Sequence, residues 1–402
     1  MKILSKVKNL IHSGEETTNP PFDIFSPEVL QNPYPFYREL RDNFPVHYFK
    51  SHHVWAITRY DDTVEILKKP DIFSAHQKCA RLRSMQNLDG PEHARIRKIG
   101  AAYFSDPNIQ AMKVLTIHHT NRCIAAIIQS GGVFDLISDF ASTIPICVIA
   151  ETLGIGLEFV EDLKRWTKNW IVRPPSDKVE REAAEKSMSE FEAFLADHVA
   201  FSEKHPGRGF TGRLLQRGPD DEKIPFETAV ELMKLIVLAG SLTAASLVAN
   251  AVLALLRHPD ELKLLRANPH LVASLIEETL RYDSPAMLVP RVVTRDIAIR
   301  GARLKSGDSL ALLLGSANRD ERQFTDPDRF SLKRNPEGHI AFGEGAHFCL
   351  GARVARMESR IMLEALLFQM PPFQPAVLLN NVAMIDSLVL RGPDQMQLMV
   401  VQ

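Results

Sequence analysis

Residues 342–351 read FGEGAHFCLG, a run in which one cysteine, Cys349, stands among three glycines, two phenylalanines and a histidine. Beyond it, apolar residues fall at Val354, Met357, Ile361, Ala365 and Phe368, so a helix starts close to the cysteine. The amide hydrogens and positive dipole end of such a helix favour a thiolate. Gly343, Gly345 and Gly351 let the backbone bend tightly and approach something flat and large. A nucleophilic cysteine also wants a helix end, but it needs a base, and His347 is only two residues away on the same loop. A zinc site needs more ligands, and the chain has no CxxC pair. A thiolate on a metal already held by a macrocycle needs no other protein ligand, and that is haem ligation by cysteine. The alternative is an inert cysteine beside a turn.

The chain of 402 residues is 45% hydrophobic and 24% charged, enough to bury a large core. Its formal net charge of -1 gives no global attraction to nucleic acid. That length ordinarily implies roughly two or three domains, yet no stretch reads as an interdomain linker. One compact domain over residues 22–402 is expected, behind an extension at 1–21. The extension opens MKILSKVKNLIHSG, lysines alternating with apolar residues, and continues as the loop EETTNPP. It lacks the apolar run and cleavage site of a signal peptide and reads as a frayed segment rather than a short amphipathic helix. The four cysteines, Cys79, Cys123, Cys147 and Cys349, show no paired spacing, which fits a reducing cytoplasm.

PYPFYRELRDN at 33–43 is the first helix candidate after the extension. VHYFKSHHVWAITRY at 46–60 carries strand formers such as Val54, Trp55 and Ile57. Residues 91–265 read mostly as helices broken by SDPN, RPPSD, KHPGRG and RGPDDEKIP. Residues 286–315 read as short strands, with RGARLKSGD a turn between DIAI and SLALLLG. The class is mainly α with a small β region, α+β. LIVLAGSLTAASLVANAVLALL at 235–256 has no charge and is long enough to cross a bilayer. It holds Gly240, Ser241, Thr243, Ser246 and Asn250, however, and continues a pattern begun at Phe226 that carries Glu227, Glu231 and Lys234. A helix from Phe226 to Arg257, about 45 Å long, is therefore expected to run buried through a large domain.

FGEGAHFCLG resembles the signature loop of the cytochrome P-450 superfamily, the haem-thiolate monooxygenases. Phe342, Gly343, Gly345, His347, Cys349 and Gly351 all stand where that pattern expects them. Other segments agree in order, and the resemblance runs from about residue 25 to the end. EETLR at 277–281 contains the family's Glu-x-x-Arg as Glu278 and Arg281, a spacing common on any helix face. The resemblance implies that this pair is buried and locked by an arginine of PDRF, here Arg329. GPEHARIRK at 90–98 resembles the helix whose His93 and Arg97 hold a haem propionate, and SPAMLVPRVVTRD at 284–296 places Arg291 against a propionate. The implied fold is that of the family, with a long central helix over the haem. The implied cofactor is haem b, because no CxxCH attachment motif occurs; Cys349 is its metal ligand.

The long helix departs from the family. The pattern Ala/Gly-Gly-x-Asp/Glu-Thr appears as Ala239-Gly240-Ser241-Leu242-Thr243, with leucine in place of the acid. Gly240 is implied to leave room for oxygen beside the haem, and Thr243 to be the alcohol that helps deliver protons. Leucine can relay no proton. The relay then falls to water with Ser241 or Thr243, to a substrate group, or to chemistry other than ordinary O2 activation; the first is favoured. Family positions facing the pocket map onto Met85, Leu88, Val237, Ala239, Gly240, Leu247, Ala286, Met287, Leu288, Val289, Leu388 and Val389. Their apolar character implies a lipophilic substrate such as a terpenoid, steroid, fatty acid or macrolide-like compound, although several could simply fill core. Without an N-terminal anchor the chain resembles the soluble bacterial members: cytoplasmic, monomeric, and supplied with electrons by a separate ferredoxin or flavodoxin-type donor and an NAD(P)H reductase. Arg95, Lys98, Arg353, Arg356 and Arg360 would ring the haem face beneath the cysteine and suit an acidic donor; ordinary solvated helix charge is the alternative. Two function classes stand: hydroxylation by a monooxygenase, or a haem-thiolate protein that is peroxide-driven, an isomerase or a binding protein. Leu242 favours the second and Thr243 opposes it.

Overall fold

The computed structural model describes residues 20–76, 84–171, 178–206, 209–216, 224–334 and 336–401. Cys79, residues 1–19 of the expected extension and the expected turn RPPSD lie outside them. So do residues 207–208 of KHPGRG and residues 217–223 of RGPDDEKIP.

PYPFYRELRDN forms the helix Tyr34–Asn43, started at Pro33 and burying Tyr34, Phe36, Tyr37 and Leu40 on one face. The strand-rich stretch after it folds as a hairpin of β1 (Val46–Phe49) and β2 (Val54–Ile57), turned at His53 with positive φ. Strands β3 (Phe73–Ser74), β5 (Val289–Val293) and β8 (Ser309–Leu312) complete a sheet in the order β1-β2-β8-β5-β3. Only β2 and β8 pair in parallel. The expected turn RGARLKSGD contains a strand. Ala302–Leu304 (β7) pairs antiparallel with Ile297–Ile299 (β6) around the left-handed pair Arg300-Gly301, φ 47° and 83°. Two consecutive positive φ values match the twist of a tight hairpin. The strand of three residues is too short to show alternation in sequence.

A second sheet pairs Gln397–Val400 with Val133–Asp135 on one side and Phe373–Pro375 on the other, and helices make up most of the rest. The helix Phe226–Arg257 has the bounds expected of it and stops at His258, where Pro259 follows. It is apolar on all sides, and its spanning-length window is 78% buried within the fold. Residues 229–238 enter one hydrophobic core, with the helices Gly90–Ala101, Asp106–Gln129, Thr143–Leu153 and Lys178–Lys204. Residues 245–255 enter another, with the helices Val272–Tyr282 and Ala352–Glu364. Between the two cores Ala239 is exposed and Gly240, Leu242 and Thr243 are half-exposed. A largely apolar helix loosens its core contacts at four of the five residues where the family motif falls, Ser241 alone of the five staying buried.

Candidate active site

The cysteine loop is closed by its own backbone. The Cys349 amide donates to the Phe342 carbonyl at 2.9 Å, and the Gly343 amide to Ile340 at the same distance. Gly343 and Gly345 hold φ of 73° and 71°, the left-handed region that favours glycine. The helix Ala352–Glu364 starts with Gly351 as its N-cap, as the spacing predicts. The Cys349 sulfur is accessible but sits deep among protein atoms. Burial pushes the thiol up, while the Gly351 and Ala352 amides, Arg97 and Arg356 push the other way. The positive field expected from the helix end is present, but burial outweighs it. A bound metal cation would supply the missing charge.

Four basic side chains gather beside this loop. Arg97 Nη2 donates to the Phe348 carbonyl, one residue before the sulfur. The His93 and His347 rings lie 4.1 Å apart. Arg291 is 6% exposed, and among the described residues its guanidinium donates only to its neighbour Pro290, at 2.7 Å. His93 Nε2 is buried with no hydrogen-bond partner. Burial, Arg291 and His93 push His347 down to about 4, against the pull of Asp89. Burial followed by Arg97 likewise lowers His93. A buried guanidinium and a buried imidazole nitrogen that no carboxylate among the described residues hydrogen-bonds fit a ligand that brings its own carboxylates. Together with an accessible sulfur at a helix N-terminus, these residues fit haem.

Gly100 ties these pieces to the long helix. Its Cα faces Leu232 of that helix, Leu350 of the cysteine loop and Met85, all within 4 Å of where a Cβ would stand. A Cβ at Gly240 would meet Ile149 at 3.0 Å, so glycine there also permits close helix packing. Thr243 Oγ1 donates to the Ala239 carbonyl at 2.6 Å, and Ser241 Oγ to Val237 at 2.8 Å. Ser241 is buried, whereas Thr243 is not.

The expected pocket residues divide. Val237 and Leu247 are buried in the two cores, and Met287 in a third with Tyr37 and Leu313. These three pack within cores, and an apolar helix or loop residue carries no sequence mark of which apolar surface it meets. Leu288 is almost as buried. Met85, Leu88, Ala239, Ala286, Val289 and Leu388 are at least partly exposed, and Val389 is 51% exposed. Two of these segments meet: Ala286 bridges Leu390, and the Met287 amide donates to Val389 at 2.8 Å.

Glu278 and Arg281 are fully buried and doubly bonded, at 2.8 and 2.9 Å. The locking arginine is Arg334, not Arg329. Arg334 Nε reaches Glu278 at 3.1 Å, whereas the Arg329 side chain is exposed and only its carbonyl accepts from Arg281. The expected basic patch carries acidic partners. Arg356 binds Glu277 with two nitrogens, at 2.6 and 2.8 Å, and lies over the Phe342 ring. Arg353 pairs with Asp106 and Arg360 with Glu364; Arg95 and Lys98 are exposed. Arg356 thus braces the cysteine loop, and acids facing the helix offset much of the patch. Sequence reasoning missed Glu277, Arg334 and Asp89, whose charged partners Arg356, Glu278 and His347 lie far away in the chain.

A family model described as cytochrome P450 matches residues 176–370. The chain is 33% identical over 364 residues to a biotin biosynthesis cytochrome P450 of Bacillus subtilis (strain 168), covering 86% of this chain and 91% of the relative. It is 32% identical over 389 residues to the vitamin D(3) 25-hydroxylase of Pseudonocardia autotrophica, covering 93% and 95%. Among solved structures, CYP109E1 from Bacillus megaterium in complex with testosterone matches with a TM-score of 0.82 and 28% identity, over 92% of this chain and 99% of that one.

Proposed function

Because this chain belongs to the cytochrome P450 family and is a haem monooxygenase, we propose that it hydroxylates a lipophilic small molecule of steroid or similar polycyclic class. The exposed Cys349 at a helix N-terminus, beside a buried Arg291 guanidinium and a buried His93 Nε2 that no carboxylate among the described residues hydrogen-bonds, carries the reading. Cys349 would ligate the iron, and Arg97, Arg291, His93 and His347 would hold the propionates of haem b. Bound haem supplies activation of O2 and transfer of one oxygen atom to the substrate, with thiolate electron density favouring O–O cleavage.

The protein's part is binding, room and protons. The exposed Ala239 and half-exposed Gly240 would leave space for a small ligand. Thr243 commits its hydroxyl proton to the Ala239 carbonyl, so its lone pairs can accept a hydrogen bond from water. Thr243 would thus hold a water where the acid is missing, and would hand a proton on, with Ser241, only when its hydroxyl turns off that carbonyl. Met85, Leu88, Ala286, Val289, Leu388 and Val389 would contact an apolar substrate and exclude water. Two relatives named for a steroid-like substrate or bound to a steroid support that class. Electrons would come from a separate ferredoxin or flavodoxin-type protein with an NAD(P)H reductase, to a cytoplasmic monomer with one catalytic domain at 22–402. Leu242 favours a second reading, in which peroxide or a substrate group replaces the proton relay, or the protein isomerises or binds rather than oxygenates.

The test begins with the reduced carbon monoxide complex, expected to absorb at the long wavelength of thiolate ligation and to lose that band in Cys349→His. Ligands that shift the haem band are then incubated with a ferredoxin system under labelled O2, and separately with peroxide. One labelled oxygen in the product is expected. Protein that never takes up haem ends the reading, and turnover with peroxide alone transfers it to the second.

A further inference from the structure

Asp89 stands at the N-cap of the helix that carries His93 and Arg97, but its carboxylate makes no capping bond. It is used elsewhere. One oxygen accepts from Ser74 Oγ at 2.5 Å and the Ala75 amide at 3.0 Å, at the end of β3. The other accepts from His347 Nε2 at 3.3 Å, in the cysteine loop. One side chain therefore joins the sheet, the His93 helix and the Cys349 loop. His347 in turn lies against His93, the two rings tilted by 33°, and Asp89 is an acid acting on His93, His347 and Arg291 alike.

We propose that Asp89 is a positioning residue for the haem site, orienting the His347 ring, and through it His93, toward the propionates. The proposal rests on the reading that His93, Arg97, Arg291 and His347 hold those propionates. An imidazole held only by a stack can rotate. One fixed at Nε2 by an anchored carboxylate presents its opposite edge in a single direction. Ser74 and Ala75 are the anchor, because they stop the carboxylate from following the ring. The pattern matches the outer partners of metal-site histidines, which act without touching the metal.

The experiment compares loss of haem to excess apomyoglobin in holoprotein variants. Asp89→Asn keeps the size and can still accept from Ser74 and Ala75, but it loses the charge that holds His347. Haem loss about tenfold faster is expected, with unchanged melting of the haem-free protein and a higher reduction potential, since a negative charge leaves the haem's surroundings. The double variant with His347→Ala should lose haem no faster than His347→Ala alone, because Asp89 acts through that ring. Wild-type retention in Asp89→Asn overturns the proposal. Additive acceleration in the double variant also overturns it, assigning Asp89 to the sheet contact instead. If His347→Ala and Arg97→Ala both retain haem as the wild type does, the propionate reading itself falls. Should Asp89→Asn not fold, Ser74→Ala frees the carboxylate in the same assay. Acceleration that disappears in a His347→Ala background supports the proposal, and unchanged loss overturns it.

Discussion

Thr243 is the residue on which proton delivery is tested. With Leu242 beside it, no carboxylate on that turn can help, and its hydroxyl is accessible while Ser241 is buried. Thr243→Ala is therefore expected to uncouple the enzyme. NAD(P)H is still consumed, peroxide rises, and product per reducing equivalent falls, general acid–base assistance being worth about 10²–10⁴-fold. An unchanged ratio of product to NAD(P)H moves the relay to the substrate or to peroxide. A second residue-scale test separates two arginines. Arg334 touches the buried Glu278 and Arg329 does not. Removing one partner of a buried ion pair costs about 3–5 kcal/mol, so Glu278→Ala should yield little folded holoprotein. Arg334 is itself partly exposed, so Arg334→Ala should cost less than that but clearly more than Arg329→Ala, which should stay within about 0.5 kcal/mol. Urea melts of the two arginine variants check this, and equal midpoints would contradict the assignment. The pairing of Glu278 with Arg281 is legible in EETLR because the spacing of three residues is local. Which distant arginine completes it depends on how the loop after Phe330 folds back, and no local spacing records that.

At the scale of elements, the cysteine loop is held from outside as well as by its own glycines. A Cβ at Gly345 would stand 2.8 Å from the Leu67 carbonyl, and its φ is 71°. Neither the backbone oxygen nor a left-handed φ yields cheaply to alanine. Gly345→Ala should therefore displace the loop from the helix Tyr60–Leu67 and weaken haem retention. Gly343→Ala, with the same strain but nothing closer than 3.8 Å, should be milder. Haem content after purification checks the order, and equal retention would mean that the Leu67 contact is immaterial. The glycines are legible in FGEGAHFCLG because a backbone demand is written in the residue type. The Leu67 contact, the Arg356–Glu277 brace and the Asp89 tie are not, because each joins segments remote in sequence. The bounds of the long helix are legible in Phe226 and Pro259, whereas the face it turns to a pocket is not. Val237 and Leu247 meet core and Ala239 meets open space, and an apolar pattern reads the same in both cases.

Across the whole molecule, two carboxyls give folding opposite responses to pH. Burial, Arg356 and His339 act on Glu277, and the partners win, holding it at about 2 against an ordinary 4.5. Its contribution is present above 4.5 and is lost as pH falls toward 2. Glu358 lies on the buried face of the cysteine helix, and burial raises its carboxyl from 4.5 to about 8. Below 4.5 the folded and unfolded chains both carry its proton, so folding is indifferent to pH there. Between 4.5 and 8 only the unfolded chain releases it, and stability drains away as pH rises. Above 8 both have released it and the loss is complete. Glutamine is neutral and close in size to protonated glutamate, so Glu358→Gln should match the wild type near pH 4. It should become the more stable protein by a few kcal/mol near pH 8, since each unit of displacement is worth about 1.4 kcal/mol. Urea unfolding of wild type and variant at pH 4, 6 and 8 reads this as a widening gap between midpoints. Curves that stay parallel across that range would mean that Glu358 finds a proton donor in the fold and is ionised there, and its burial would then need another explanation.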